Sequence, residues 1–145
     1  MNYITLKKEE IIKCTIPSIE DIENLPKEIL KSKAWWWLRS PGCNQNSAVT
    51  VDYDGGIHKN GSRVYIVAGA VRPLLVTTLD SSTLKLGDTY KILSIDWYYI
   101  GEGKFLTKYI QFYSFFDTEL DDYKKSALKK KVDEWFSRLE KLNIG

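Results

Sequence analysis

Chemistry in this chain would have to pass through very few residues. There is one histidine, His58, and there are two cysteines, Cys14 and Cys43, in 145 residues. An imidazole base could only be His58, and a Ser–His or Cys–His nucleophile pair would have to be built on it. His58 follows the Asp54-Gly55-Gly56 turn and sits beside Lys59 and Asn60. A small hydrolase would recruit Asp52, Asp54 or Cys43 to it, but spacing does not place these groups together. The plainer reading is an exposed loop histidine. One histidine and two cysteines exclude a multi-histidine metal site and a four-ligand Cys/His site. There is no P-loop, no G-x-G-x-x-G, no H-x-E zinc pattern and no G-x-S-x-G elbow. The expectation is a non-enzymatic protein with no catalytic residue, no metal and no cofactor.

Binding chemistry is better represented. Aromatic residues are 13% of the chain, with five Trp and nine Tyr. Trp35, Trp36 and Trp37 are consecutive. On a strand, Trp36 and Leu38 point one way, and Trp35, Trp37 and Arg39 the other. At least one of these rings must be core, because each buries about 150–250 Å²; another could stack on a base or sugar. Arg39 and Arg72 are either half-buried guanidiniums tied to carbonyls, Asp52 or Asp54, or an anion clamp. Arg63 and Tyr65 share a face by the two-residue period. The candidate ligand residues are therefore Trp35, Arg39, His58, Arg63, Tyr65 and Arg72.

These side chains need a scaffold, and the sequence suggests one. Leu6, Ile11 and Ile12 among charges in residues 5–14 read as a short helix. Ser18 is a good N-cap for Ile19–Asn24, with Asp21 as its reciprocal partner. Pro26 suits the first turn of another short helix, to about Ser32. Strands are expected over 34–39, 48–53, 57–59, 63–67 and 71–78. Turns are expected at Asp54-Gly55-Gly56 and Asn60-Gly61, and Pro73 argues for an edge or a bulge. Asp80–Thr83 is the one candidate linker. Thr89–Ile100 and Lys104–Tyr109 flank a hairpin at Gly101-Glu102-Gly103. Leu128, Val132, Trp135, Phe136, Leu139 and Leu142 mark an amphipathic helix from about Ala127 to Leu142, capped by Ser126. The predicted class is α+β: mostly antiparallel sheet, short N-terminal helices and one long C-terminal helix. Residues 1–79 and 84–145 would be lobes of one domain with a shared core.

Charge and hydropathy narrow the partners. Lys plus Arg is 21 and Asp plus Glu is 19, a formal net charge of +2. Residues 1–80 hold 10 basic and 9 acidic residues, so neither half is a basic arm. Nucleic-acid binding by bulk charge is disfavoured. No apolar run reaches the ~18–20 residues of a membrane span, and the N-terminus has no signal-peptide core. Two free thiols in a reducing cytoplasm are expected, and homo-oligomer formation is allowed.

The stretches WWWLRSPG at 35–42, AVTVDYDGGI at 48–57 and AGAVRPLL at 68–75 resemble an uncharacterised domain family of phages, prophages and gut Firmicutes. Its members carry W-W-L-R-S-P-G, A-x-x-V-x-x-x-G-x-I/V and G-V-R-P-A-L; Leu74 stands here where Ala is usual. LKLGDTYKIL and DDYKKSALKKKVDEWF are similar to segments of the same proteins. The W-L-R-S and V-R-P pair is also similar to the closing strands of C-type-lectin-like and formylglycine-generating-enzyme-like folds. That similarity implies a C-type-lectin-like arrangement in the first half. It does not carry the generating enzymes' catalysis, because the reactive cysteine pair is missing.

With no secretion signal, the cytoplasm of a bacterial host is expected, and the resemblance implies a protein that interferes with host machinery. The expected function is capture of a small anionic or nucleotide-like ligand, in a counter-defence role, or blocking of a host protein. The alternative is a lectin-like recognition module for carbohydrate or protein, though neither E-P-N nor Q-P-D of the calcium lectins occurs.

Overall fold

The computed structural model describes residues 2–144. The class is α+β as expected, with two mixed sheets and a long C-terminal helix. In chain order the elements are β1 (Asn2–Tyr3), β2 (Ile11–Thr15), α1 (Ile19–Ile22), α2 (Lys27–Leu30), β3 (Trp36–Pro41), β4 (Ser47–Val51), β5 (Ile57–Arg63), β6 (Gly69–Val71), β7 (Leu74–Thr77), β8 (Thr89–Ile92), β9 (Ile95–Gly101), β10 (Lys104–Thr107), β11 (Phe112–Ser114) and α3 (Ala127–Asn143). One sheet runs β1-β8-β9-β10-β7-β2 and the other β11-β6-β3-β4-β5. The β1–β8 and β3–β6 pairs are parallel; the other pairs are antiparallel.

The caps form where the side-chain chemistry puts them. Ser18 and Asp21 exchange hydrogen bonds with each other's backbone N–H at 3.3 and 2.9 Å, which starts α1. The Ser126 hydroxyl accepts from the Lys129 N–H at 3.0 Å and starts α3. Gly101, Glu102 and Gly103 all take left-handed φ, at 97°, 55° and 74°, closing the β9–β10 hairpin.

Five local expectations change. The strand expected over 63–67 is absent: β5 ends at Arg63, and residues 64–67 are turn and loop leading to β6. Residues 5–14 are not a helix: a 3-10 turn at Lys8–Glu10 leads into β2, which pairs with β7. Leu6, Ile11 and Ile12 do not make one helical stripe, and the adjacent isoleucines favour extended chain. Asn60-Gly61 does not turn the chain but forms a bulge within β5, with Gly61 at φ +81° and its α-carbon against the Ala48 carbonyl. Pro73 sits where the chain leaves one sheet after β6 and enters the other as β7. Lacking an N–H, it suits that break in the ladder. Thr89–Ile100 is two strands, folded at Leu93-Ser94 with φ of 53° and 68°. Leu93 is only 9% exposed, so burial of its side chain offsets the left-handed backbone, which costs roughly 1–2 kcal/mol.

Three apolar clusters lie around the sheets. Trp36 and Leu38 join Ile22, Ile29, Leu30, Ile100 and Leu106 in one, so α1, α2 and both sheets share it. Trp37, on the other face of β3, packs with Phe116, Leu128 and Val132. Trp97, Tyr99 and Phe105 pack with Phe136. Helix α3 therefore covers strands from both sheets. Both faces of the Trp36-Trp37 pair are core, and each ring is fully buried.

Candidate functional site

Arg72 is fully buried, and its guanidinium binds protein alone. Its Nε and Nη2 donate to the Thr107 carbonyl at 3.0 and 2.8 Å; Nη2 also donates to Ile29 O at 3.0 Å and Nη1 to Leu30 O at 3.3 Å. The guanidinium stacks on the Trp36 ring, 4.7 Å from its centre. Burial lowers its pKa to about 10, so it remains a cation at neutral pH. Four donated bonds in a fixed fork tie the end of α2 to the end of β10.

Arg39 is the half-buried guanidinium foreseen, with different partners. It donates to Ile16 O at 2.6 Å and to the Asp21 carboxylate at 2.9 Å, not to Asp52 or Asp54. Lys104 reaches the other Asp21 oxygen at 3.1 Å. Burial works against the Asp21 carboxylate, but the Ser18 N–H, Lys104 and Arg39 outweigh it, and its pKa is lowered.

The other candidates are dispersed. Trp35 packs edge-on against Trp37 with ring centres 5.0 Å apart. His58 is exposed and sits within β5, opposite Thr50, not in a loop. Arg63 ends β5, and its Nη1 donates to the Tyr65 hydroxyl at 3.3 Å; Tyr65 lies in the turn beyond the strand, so the two meet across that turn and not by the two-residue period of a strand. The structure thus joins Arg63 with Tyr65 and Arg72 with Trp36. It does not join the six into one site. Cys14 and Cys43 are both free. Among the described residues, no group of three or more His, Cys, Asp or Glu could hold a metal ion. No helix among them is long and apolar enough to cross a membrane.

The walls braced by Arg72 border a groove. Lys31, Ser32 and Lys33 follow α2, and Lys108, Tyr109 and Ile110 follow β10. These segments, with Tyr53, Asp54, Tyr98 and Tyr113, line a groove of about 710 Å³. Tyr53, Tyr109 and Tyr113 are exposed, at 68%, 58% and 56%. The Lys108 ammonium stands 5.7 Å from the ring centres of both Tyr98 and Tyr109. The Ser32 N–H donates to Tyr53 O at 3.0 Å, and the Lys108 N–H to Asp96 O at 2.9 Å, fixing the rim. Three lysines line the groove beside Asp54; Lys31 is paired with Glu28 at 3.1 Å, which leaves Lys33 and Lys108 against the Asp54 carboxylate, itself accepting from the Gly56 N–H at 3.0 Å.

Tyrosine rings give a stacking surface for any planar ring, and unneutralised ammoniums give an anion its counter-charge. Sequence reasoning missed these residues because they come from five separated segments. One signal was available: Tyr98 alternates with the inward Trp97 and Tyr99, so its ring had to face away from that cluster.

Residues 7–79, half of the chain, match the model of a family described as a domain of unknown function (DUF6273). No curated protein and no solved structure matches.

Proposed function

This chain belongs to the DUF6273 family, and we propose for it a non-enzymatic role: capture of a small anionic, ring-bearing ligand of the nucleotide kind in the tyrosine–lysine groove. The observation that carries this reading is the position of Lys108 over two tyrosine rings, with Lys33 and two more exposed tyrosines on the same groove. A ring stacked on Tyr109 or Tyr113 would bring its phosphate or carboxylate within reach of the ammoniums. Arg72 and Trp36 act from behind, holding the two lysine-bearing walls.

In the phage or prophage setting that the resemblance implies, such capture would have a purpose. A cytoplasmic binding protein that removes a nucleotide signal would blunt a host defence without any catalysis. A carbohydrate-recognition module would use the same rings but not the lysines, so the charge of the preferred ligand separates the two readings.

The test is incubation with a panel of mononucleotides and neutral sugars, followed by gel filtration, heat denaturation and chromatography of what is released. The expected result is retention of a nucleotide and its recovery intact. Recovery of a cleaved product would instead indicate an enzyme, and retention of neutral sugar alone would indicate a lectin.

A further inference from the structure

A second groove, of about 1020 Å³, lies between β2, the end of β3 and α3. It is built unlike the first. β2 is the last strand of its sheet and pairs only with β7. Among the described residues, no backbone hydrogen bond from outside the strand ladder reaches Ile12–Thr15. Lys13, Cys14 and Thr15 are consecutive and all line the groove, so it is the strand's edge that borders it. The opposite wall is one stripe of α3, from Lys129 to Glu140. That stripe spans about 16 Å, room for about five residues of extended chain.

Two observations define the occupant. Tyr123 lines the groove at 9% exposure, and its buried hydroxyl lies beside Thr15 without a hydrogen bond of good geometry. The groove's charge is also unbalanced. Lys129 is held by Asp133 at 2.6 Å and Arg39 by Asp21 at 2.9 Å. Asp21 is shared with Lys104, so Arg39 is only partly balanced, and Glu20, Asp121, Asp122 and Glu140 stand against Lys13, Lys124 and the remainder of Arg39. Burial, then Asp133 and Glu140, push the Cys14 thiol up, in keeping with a negative local field.

We propose that this groove takes an extended basic segment of a partner polypeptide, added as a further strand on β2. Its alternate side chains, lysine or arginine, would face α3, their stems on Phe136 and their charged ends toward Glu140 and the Tyr123 hydroxyl. A second copy of this chain is a poor occupant. Two-fold pairing of β2 with itself about its central residue sets one Lys13 opposite the other, which destabilises a strand pair, and in any register the partner strand brings a single lysine to the acidic wall.

The test is fluorescence anisotropy of a labelled peptide of three Arg-Val repeats titrated with the full chain. A Glu-Val peptide of the same length and an Arg-Val peptide N-methylated at alternate residues serve as controls. The expected result is saturable binding of the Arg-Val peptide alone, weakened at least tenfold by Glu140→Gln and by Tyr123→Phe, and unchanged by Lys108→Ala in the tyrosine groove. Glu140 lies on the surface of α3, so Glu140→Gln remains informative even if Tyr123→Phe perturbs folding; melting temperatures identify such a variant. Absence of saturable binding, equal binding of the Glu-Val or methylated peptide, or indifference to Glu140→Gln would overturn the proposal.

Discussion

Arg72 and Trp36 donate to the same atom. The Arg72 Nη1 and the Trp36 indole N–H both hydrogen-bond the Leu30 carbonyl, at 3.3 and 3.1 Å, while the guanidinium stacks on the Trp36 ring. The carbonyl closes α2, one residue before Lys31. The two most distinctive residues of the chain's repeated tryptophan and V-R-P stretches therefore shape the tyrosine–lysine groove without touching its solvent side.

Arg72→Lys should be far from conservative. An ammonium cannot reproduce the planar fork's four bonds to Ile29, Leu30 and Thr107 or its stack on Trp36, and the Ile29 and Thr107 carbonyls would lose donors. Loss of a charged hydrogen bond costs about 1.5–3 kcal/mol. Equilibrium denaturant unfolding should show a loss of at least that size, and unchanged stability would contradict the bracing role.

Trp37→Ala should cost about 3–5 kcal/mol, the range for a large aromatic removed from a core. Its indole N–H donates to Ser114 O at 2.9 Å, and its ring meets Phe116 at 5.6 Å. Gly69→Ala should disturb the same contact from the other side, because a Cβ at Gly69 would collide with the Trp37 indole. Overpacking of this kind costs about 1–3 kcal/mol. A melting temperature unchanged in both variants would show that Trp37 is not packed as described.

Much of this was legible in the sequence, and the parts that were not share a cause. The Ser18–Asp21 and Ser126 caps, the Gly101–Gly103 turn and the two-faced Trp36-Trp37 strand follow from local rules, and the sequence conveys local rules well. The Leu93-Ser94 turn carries no glycine or asparagine, and it is stabilised by burial of Leu93, which is a tertiary fact. β2 is fixed by pairing with β7, some sixty residues later. The candidate arginines were recognisable as structural or ligand-binding, but which applied depended on Leu30, Thr107 and Asp21, and no spacing rule names those partners. The tyrosine groove was hidden for the same reason.

Acid should weaken the fold through Asp21. Its pKa is lower in the folded protein than in the unfolded chain, so its stabilising contribution is present above its ordinary value, about 3.9, and is lost as pH falls through the lower folded value. Asp21→Asn should therefore be less stable at neutral pH, by about 1.5–3 kcal/mol for loss of charged hydrogen bonds. Between about pH 4 and the folded value it should show a flatter stability profile. An acid limb identical to that of the unaltered protein would remove Asp21 from this role.

The chain should unfold as one unit. α3 contributes Phe136 to one cluster and Leu128 and Val132 to another, and β2 from the first half pairs in the sheet that contains β8, β9 and β10. Proteolysis near Asp80–Thr83 should release fragments that do not persist as folded species. Two stable halves, each with its own melting transition, would contradict this.

The account rests most heavily on the tyrosine–lysine groove, and one titration tests it. Calorimetric binding of AMP, adenosine and inorganic phosphate should be compared for the unaltered chain, Lys108→Ala and Tyr109→Ala. The account predicts that AMP binds more tightly than either component. Lys108→Ala should weaken AMP about tenfold while sparing adenosine, and Tyr109→Ala, removing a stack worth about 1–3 kcal/mol, should weaken both. AMP and adenosine binding alike, or AMP binding indifferent to both substitutions in folded protein, would contradict it.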